Sequence, residues 1–491
     1  MKNKPKLTNT LIDGLNASQT KAVQSPKSRI LVIAGAGSGK TEVIARRIGY
    51  WVGVDDTPRD SIAAFTFTER AAEEMKFRVR RQIQAIFQEE GDATLAGMYV
   101  GTIHSFCLKQ LRELEPDRYH NFDILDESAR YALIQRGFNN ILGLSALKQA
   151  LGYGVYATID YFVQAYDLLN EYGLLEVELS ERDLPHHLNE EVSWCKEAKL
   201  VTPVGTDAVA TCFSQAAARF YAYLLCRRFL DFSTSQAELV RLLEKDVSVL
   251  EKIQKKHSHI VVDEVQDINP IQSKLINLIV GESGKFTAVG DHRQAIYRFR
   301  GGRVELMQGL ANHLNQQGAD AAVIFLEENY RSTPRIIEIA NNWADTIGEV
   351  EGLPNPHMKH ARAERSDKDI SHIQANRFND RGEEASWIAD SIRQLVNPKK
   401  KVGASHDSMS SERGIEYSDV VILLRSSTDA RLYMRALESA GIPAVFRAGP
   451  DLFAQPEVLL ILGVLGVCVD IDEFMGAAHG PVNFSEVVAS N

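Results

Sequence analysis

A run of small residues that ends in lysine and threonine has the composition of a phosphate-binding loop. Its members are Ala34, Gly35, Ala36, Gly37, Ser38, Gly39, Lys40 and Thr41. Small residues let successive backbone N–H groups close around phosphate oxygens, and the N-terminus of a following helix favours an anion there. In such a loop Lys40 would reach the β- and γ-phosphates of a nucleotide, and the Thr41 hydroxyl would bind Mg²⁺. The alternative interpretation is a glycine-rich turn in which the Lys-Thr pair is incidental.

Two adjacent carboxylates could complete a site for nucleotide hydrolysis. Asp263 and Glu264 directly follow the apolar stretch 260–262, and ligands of open α/β sheets bind beyond the carboxyl ends of the strands. We expect Asp263 to hold Mg²⁺, directly or through water, and Glu264 to take a proton from the attacking water. The alternative is a strand that runs into an acidic turn without a chemical role.

The segments that would position these residues alternate between strand and helix patterns. Apolar runs at 29–34, 61–66 and 99–102 are each followed by a segment with helical periodicity, which predicts a parallel sheet covered on both faces. From about 116 to 227 the pattern is helical without a clear strand, which predicts a helical insertion. Further strands are predicted at 259–263, 285–290, 322–326, 419–425 and 442–446.

The composition limits the class of protein. The 491 residues, 44% apolar and 24% charged, correspond to about three globular domains and argue against a fibre or a disordered chain. The longest apolar run, 458–469, is too short to span a bilayer and no charged-then-apolar leader opens the chain, so we expect an unexported, cytoplasmic protein. Five cysteines without a Cys-x-x-Cys pair predict reduced thiols. A net charge of −10 excludes a general cationic DNA-coating protein, although it does not exclude a local basic channel.

Seven motifs occur in a fixed order along the chain. They are Leu15-Asn-Ala-Ser-Gln19, the loop 34–41, Thr66-Phe-Thr-Glu-Arg-Ala-Ala72, Gly101-Thr-Ile-His-Ser-Phe106, Asp263-Glu-Val-Gln-Asp267, Gly290-Asp-His-Arg-Gln-Ala-Ile-Tyr-Arg-Phe-Arg-Gly-Gly302 and Glu328-Asn-Tyr-Arg-Ser332. This order resembles the UvrD/Rep/PcrA family of superfamily 1 DNA helicases, which move 3′ to 5′ on single strands. The resemblance implies an α/β P-loop NTPase fold with two RecA-like parallel-sheet domains, the first of which carries a helical insertion.

The resemblance also implies roles for residues around the nucleotide. Gln19 would read the adenine edge, Tyr330 would stack on the adenine, Gln294 would sense the γ-phosphate, and Arg331 would reach the γ-phosphate across the cleft. A guanidinium in that place stabilises the charge of the transition state. The alternatives are an ordinary surface glutamine at position 19 and, at 330–331, an aromatic residue at a helix start next to a surface arginine.

Seven residues are candidates for contact with DNA. They are Phe67, Thr68, Thr102, His104, Tyr297, Phe299 and Arg300. Aromatic side chains in turns after strands can slot between bases, and Arg300 would meet a phosphate. The family often has tryptophan where Phe299 stands. Packing in the core is the alternative for Phe67 and Phe299, and a hydrogen-bonded core histidine is the alternative for His104.

The resemblance weakens towards the C-terminus, where neither the Gly-Leu-Glu motif nor the arginine-bearing final helix of the family is found. We therefore expect the second RecA-like domain to be incomplete. The predicted segments are a first RecA-like domain at 1–115 and 228–320 that carries the helical insertion 116–227, a partial second RecA-like domain at 321–475, and a tail at 476–491 that could begin a truncated second insertion.

Two functions of different classes remain in competition. The first is an ATP-dependent DNA helicase or translocase with 3′ to 5′ polarity, which uses ATP and Mg²⁺ to unwind tailed duplex DNA in repair, recombination or replication. The second is a truncated or non-unwinding ATP- and DNA-binding subunit that needs a protein partner or the missing C-terminal half. The ordered motifs between 290 and 332 argue against a P-loop kinase or GTPase, and no additional acidic cluster supports a nuclease.

Overall fold

The structure of the chain is a computed structural model that divides into two compact units, residues 1–371 and 372–491. It describes residues 4–87, 97–179, 187–296, 302–316, 320–347, 357–361, 373–396 and 413–446, together with 95, 185, 350, 353, 401–402, 473–476 and 480–483. No helix within these ranges is both long enough and apolar enough to cross a membrane.

Six parallel strands form the central sheet of the first unit. In spatial order they are β10 (Ala321–Leu326), β1 (Arg29–Ala34), β9 (Lys285–Gly290), β8 (His259–Val262), β2 (Ile62–Thr66) and β3 (Tyr99–Thr102). Every pairing between neighbours is parallel, and Val32 of β1 lies opposite both Val289 of β9 and Ile324 of β10. This confirms the predicted α/β fold with a parallel sheet.

The side chains of β1 alternate between two hydrophobic layers, and all of those between 30 and 33 are buried. Ile30 and Val32 belong to one layer, whereas Leu31 and Ile33 belong to the other. Successive side chains of a strand point to opposite faces, so a continuous apolar run is what a sheet covered on both faces requires. The first layer contains α1 (Lys4–Ile12), α2 (Ala17–Gln24), α3 (Lys40–Gly53) and α4 (Glu69–Phe87). The second contains α5 (Ile103–Leu114), α12 (Phe232–Lys245), α13 (Val247–Lys256), α14 (Pro270–Val280) and α15 (Val304–Gln316).

Helices dominate the region 116–227. They are α6 (Pro116–Tyr119), α7 (Glu127–Gly137), α8 (Leu144–Leu151), α9 (Val155–Glu171), α10 (Leu188–Glu197) and α11 (Ala208–Cys226). Short strands accompany them, with β4 (Asp123–Ile124) paired to β7 (Phe229–Leu230) and β5 (Val177–Glu178) paired to β6 (Lys199–Leu200). The core here is aromatic: the ring of Phe220 lies 5.6 Å from that of Phe162 and 5.0 Å from that of Tyr166. The aromatic core of the insertion is therefore continuous with the second layer of the sheet.

The strand Ala321–Leu326 is the edge of the first sheet, because its backbone groups pair with β1 along its whole length. The boundary that the sequence predicts between 320 and 321 assigns this strand to the second domain, whereas in the structure the strand pairs with the first sheet. Hydrogen bonding decides the matter, since backbone N–H and C=O groups buried in a sheet must be paired. After β10 the chain continues through β11 (Glu328–Asn329), α16 (Pro334–Ala344) and β12 (Lys359–His360).

The second unit contains two packed helices, α17 (Arg381–Leu395) and α18 (Ala430–Ser439). Short antiparallel ladders pair β13 (Lys401–Val402) with β14 (Arg413–Gly414) and β15 (Glu473–Gly476) with β16 (Gly480–Asn483). The strands predicted at 419–425 and 442–446 are wrong, since no described residue of this unit pairs with either segment. Val421, Leu423 and Val445 are 76%, 89% and 87% exposed. An apolar run becomes a strand only where a neighbouring strand completes its hydrogen bonds.

A buried histidine next to β8 makes the stability of the first unit depend on pH. His257 is 2% exposed, and neither of its ring nitrogens has a hydrogen-bond partner within the described part of the chain. Burial lowers the pKa of His257 to about 4. The unfolded chain therefore binds this proton near pH 6.5 and the folded chain only near pH 4, so stability is retained above pH 6.5 and is lost as the pH falls through this window.

We expect replacement of His257 by phenylalanine to make the first unit less sensitive to acid. Between pH 7 and pH 5 the free energy of unfolding should fall by about 2 kcal/mol less in His257→Phe than in the unmodified chain, because one proton uptake on unfolding has been removed. Urea denaturation at the two pH values measures this difference. The exposed His120→Phe is the control. An identical loss in all three proteins would contradict the assignment.

Candidate functional site

Three side chains meet at the carboxyl edge of the central sheet. Lys40 follows β1, Glu264 follows β8, and Gln294 follows β9, which lies between those two strands. The Lys40 Nζ is 2.7 Å from a Glu264 carboxylate oxygen and 3.4 Å from the Gln294 side-chain oxygen. The structure thus brings the predicted lysine and the predicted acidic pair into one site.

The loop between β1 and α3 is a cradle shaped by two glycines. Gly37 and Gly39 have φ of 71° and 85°, in the left-handed region that side chains with a Cβ avoid. The Ser38 N–H donates to the Gly35 carbonyl at 3.2 Å, and the Ser38 hydroxyl is buried without a partner within the described chain. Lys40 and Thr41 are the first two residues of α3, so their backbone N–H groups are among those that a helix leaves unsatisfied. These are the features of an anion-binding helix N-terminus.

The acidic pair after β8 consists of a buried Asp263 and a half-buried Glu264. The Asp263 carboxylate accepts a hydrogen bond from the Glu264 N–H at 2.9 Å. Burial, together with the neighbouring Glu264, raises the pKa of Asp263 above its ordinary value. Glu264 has a φ of 50°, which is strained for a residue other than glycine. Strained backbone conformations of this kind cluster at functional sites. Here the strained residue directs its carboxylate towards the Lys40 Nζ.

Gln266 was not assigned a role from the sequence, yet it joins two of the motifs. Its amide nitrogen donates to the Glu264 carboxylate at 2.9 Å, and its carbonyl oxygen accepts from the Asp291 N–H at 3.0 Å. Asp291 in turn accepts from the Gln294 amide at 2.9 Å. In the sequence, Gln266 could have been noticed as an amide side chain inside the acidic motif 263–267.

The segment after β10 is docked onto the glycine-rich loop by a second unassigned amide. The Asn329 Nδ2 donates to the Ala36 carbonyl at 2.7 Å, while its Oδ1 accepts from the Arg331 N–H at 2.9 Å. The Tyr330 N–H donates to the Gly37 carbonyl at 2.9 Å. The backbone of Arg331 is therefore fixed beside the loop that holds Lys40.

The tyrosine and glutamine predicted to contact a base are both tied to the N-terminal segment. The Tyr330 hydroxyl accepts from the Asn16 side chain and donates to the Glu328 carboxylate, each at 2.9 Å. Gln19 is 3% exposed, so the interpretation as a surface glutamine is wrong. Its amide nitrogen donates to the Ser38 carbonyl at 2.9 Å and its oxygen accepts from the Asn16 N–H at 3.1 Å. Asn16 is thus a residue of the site that sequence reasoning missed.

Four of the predicted DNA contacts lie on the other side of the acidic pair. Phe67 is half-buried and lines a small cleft with His104, Asp263 and Glu264. Thr68 is exposed, and its hydroxyl accepts from the Ala71 N–H at 3.1 Å. The other two residues, Thr102 and His104, have roles in the fold itself. The Thr102 hydroxyl caps α5 and donates to Glu69 at 2.8 Å, and burial lowers the pKa of His104 to about 4. Tyr297, Phe299 and Arg300 lie outside the described residues.

An aromatic residue that the sequence did not single out lies beside His104. Phe232 is the first residue of α12, is 44% exposed, and its ring centroid lies 5.3 Å from that of His104 in an edge-to-face contact. The two rings line a groove of about 410 Å³ whose charged residues are Lys109, Arg112 and Glu113. An exposed aromatic ring near cations can stack on a base of single-stranded nucleic acid, and here each of the two cations is also paired with a carboxylate, Lys109 with Glu113 and Arg112 with Asp123. Its sequence signal was weak, because one phenylalanine after an aspartate is common.

Known protein families match nearly all of the chain in two parts. The model of the UvrD/REP helicase N-terminal domain matches residues 15–315, and that of the UvrD-like helicase C-terminal domain matches residues 324–475. DNA helicase II of Haemophilus influenzae is 30% identical, over 91% of this chain and 53% of its own length. ATP-dependent DNA helicase PcrA of Bacillus subtilis is 27% identical, over 95% of this chain and 55% of its own length. The chain thus spans about half the length of the curated relatives it matches.

We expect Gly37→Ala to damage the site more than Gly35→Ala. A Cβ at Gly37 would lie 2.8 Å from the Arg331 Cβ and would sit on a left-handed backbone, which alone costs about 1–2 kcal/mol. A Cβ at Gly35 would lie 3.0 Å from the Met358 Cγ, in a flexible side chain that can move. Urea denaturation and binding of a fluorescent ATP analogue compare the two variants. Equal losses in both assays would contradict the described docking of the 328–331 segment.

Proposed function

The chain belongs to the UvrD/REP helicase family, and we propose that it is an ATP-dependent motor that moves 3′ to 5′ along single-stranded DNA and unwinds duplex DNA. The observation that carries the proposal is the convergence of Lys40, Glu264 and Gln294, with Arg331 fixed beside the same loop. A nucleotide site built from strand ends supports ATP hydrolysis, and the groove at Phe232 supports a nucleic-acid substrate.

The residues present fit a nucleotide with its magnesium ion. The left-handed glycines leave room for phosphate oxygens to approach the backbone, and the ammonium of Lys40 supplies a positive charge. Asp263 is a buried carboxylate whose pKa is raised by burial, and a bound cation would favour its charged form. Mg²⁺ usually takes one or two protein ligands besides the nucleotide phosphates, and we assign these to Thr41 and Asp263.

The chain's own groups then have distinct roles in hydrolysis. Bound MgATP supplies the phosphoryl group that is transferred to water. Lys40 holds the β- and γ-phosphates, and Arg331 offsets the negative charge that develops on the γ-phosphate. Glu264, oriented by Gln266, takes the proton from the attacking water. Gln294, held by Asp291, is the sensor that contacts the γ-phosphate.

We assign base recognition to Gln19 and Tyr330, and DNA contact to the face that carries Phe67, His104 and Phe232. Thr68 and Thr102 belong to the same face, and we assign DNA contact to Tyr297, Phe299 and Arg300 by resemblance to the family. Stacking on aromatic side chains needs no particular base sequence, which suits a motor that must pass over any DNA. The proposed setting is DNA repair, recombination or replication in the cytoplasm, with a protein partner that regulates or completes the second motor half.

A second candidate function is an ATP- and DNA-binding subunit that does not unwind DNA by itself. One observation favours it: the apolar segments 419–425 and 442–446 find no strand partner among the described residues of the second unit. A motor of this family closes two RecA-like domains around ATP, and an incomplete second sheet would weaken that closure.

ATPase and unwinding assays on this chain test the two functions together. The motor requires ATP hydrolysis that rises when single-stranded DNA is added, and strand release from a 3′-tailed duplex but not from a 5′-tailed one. DNA-stimulated hydrolysis without strand release would favour the subunit. Hydrolysis that ignores DNA would contradict both.

We expect Glu264→Gln to separate ATP binding from ATP turnover. The amide keeps the shape of the side chain but cannot take a proton, so turnover should fall by about 10²–10⁴-fold while ATP affinity is retained. Steady-state hydrolysis and equilibrium binding of ATP measure the two effects. The control is Glu251→Gln, whose side chain is 61% exposed on α13. Full turnover in Glu264→Gln would remove this residue from the role of base.

A further inference from the structure

The backbone on both sides of Phe232 is bonded to the helical insertion. Asp231 caps α12, its Oδ1 accepting from the Thr234 N–H at 2.7 Å, and its Oδ2 accepts from Arg130 of α7 at 3.3 Å. Ser233, the next residue after Phe232, donates to Asp167 of α9 at 2.8 Å. Both sequence neighbours of the exposed ring are therefore held by residues of the insertion.

Arg130 is the centre of this network. Its guanidinium binds the Asp167 carboxylate through two parallel hydrogen bonds, at 2.7 and 3.0 Å, and reaches Asp231 with the same Nη1. The Arg130 side chain is 12% exposed and that of Asp231 is 1% exposed. A single cation thus lies between the buried carboxylate of Asp231 and the carboxylate of Asp167, whose side chain is 29% exposed. Without it, the two carboxylates would repel each other and the cap of α12 would shift.

Further contacts from α9 reinforce the same turn. The hydroxyls of Tyr166 and Thr234 lie 3.0 Å apart, and the Asn170 amide donates to Ser233 at 3.3 Å. Tyr166, Thr234 and Asn170 are fully buried. The ring of Phe232, by contrast, faces His104 of α5 and the open groove. The start of α12 is therefore fixed by the insertion, while its first side chain is presented to the sheet domain.

We propose that the helical insertion holds Phe232 in the orientation needed to stack on a base, and that Arg130 is the residue of the insertion that positions Phe232. The inference rests on the proposed function, because it gives Phe232 a DNA base as its partner. It also gives the insertion a role, because a movement of α7 and α9 would shift Phe232 in the protein groove through Asp231 and Ser233. Arg130 does not line the groove at Phe232 and binds Asp167 and Asp231 instead, so we assign it a role that acts through Phe232.

A double-mutant cycle tests this coupling. Arg130→Lys keeps the positive charge but loses the fork that binds Asp167 in two places. Phe232→Ala should weaken the binding of an oligothymidylate by about 5- to 150-fold, the range for one lost stacking contact. Arg130→Lys should weaken it by a smaller factor in the unmodified chain, and by no further factor when Phe232→Ala is already present. ATP affinity and DNA-independent hydrolysis should not change in Arg130→Lys.

The matched control lies on the same helix. Arg241 of α12 also ties this helix to the insertion, since its guanidinium donates to the Leu175 carbonyl at 2.9 Å and pairs with Glu238. It stands nine residues beyond Phe232, about 13 Å along the helix axis. Arg241→Lys should therefore lower the thermal stability without changing the affinity for oligothymidylate. Asp167→Asn, which also breaks the two-point contact, replaces Arg130→Lys in the cycle if that variant does not fold.

The possible results separate the inference from the function on which it rests. An equal loss of affinity from Arg130→Lys with and without Phe232→Ala would contradict the positioning of Phe232 by the insertion. An unchanged affinity for oligothymidylate in Arg130→Lys would contradict it as well. A Phe232→Ala variant with full affinity would also overturn it, while DNA-stimulated hydrolysis would still support the motor. If the unmodified chain fails to bind oligothymidylate, both the inference and the DNA part of the proposed function are wrong.

Discussion

The contact between the Lys40 ammonium and the Glu264 carboxylate is the constraint on which the site depends. These residues are 224 positions apart in the chain, and they meet because β1 and β8 are parallel strands separated only by β9. The loop after β9 fills the gap with Gln294, which contacts Lys40. Every group assigned to phosphate chemistry in the sheet domain therefore comes from one edge, and the strand order sets the distances between them.

Amide side chains convert this edge into a connected site. Gln266 orders the carboxylate of Glu264, and Asn329 fastens the segment that carries Tyr330 and Arg331 to the glycine-rich loop. Asn16 performs a similar task for Tyr330. The same principle holds at the groove, where Arg130 and its carboxylates fix the start of α12. Long-range polar contacts position the groups, while the sheet supplies the rigid base.

The sequence allowed the parallel sheet and the pairing of the loop 34–41 with Asp263 and Glu264 to be predicted, since each depends on a local pattern at the end of a strand. The sequence could not show which sheet Ala321–Leu326 would join, because the residues of an apolar strand do not identify the strand with which it pairs. Asn16 was missed because its partner Tyr330 is distant in sequence. Phe232 was missed because a phenylalanine that follows an aspartate is common. The strands predicted at 419–425 and 442–446 were wrong because a strand needs a partner that a single segment does not reveal.

We propose that the loop around Lys40 and the carboxylate of Asp263 together bind one nucleotide with its metal ion. Calorimetric titration of ATP into the chain, with Mg²⁺ and then with a chelator, tests this claim directly when it is repeated on Asp263→Asn. Mg²⁺ should strengthen ATP binding by the unmodified chain, and Asp263→Asn should lose most of this gain while still binding metal-free ATP. An equal gain from Mg²⁺ in both proteins would show that Asp263 does not share the ion and would contradict the account.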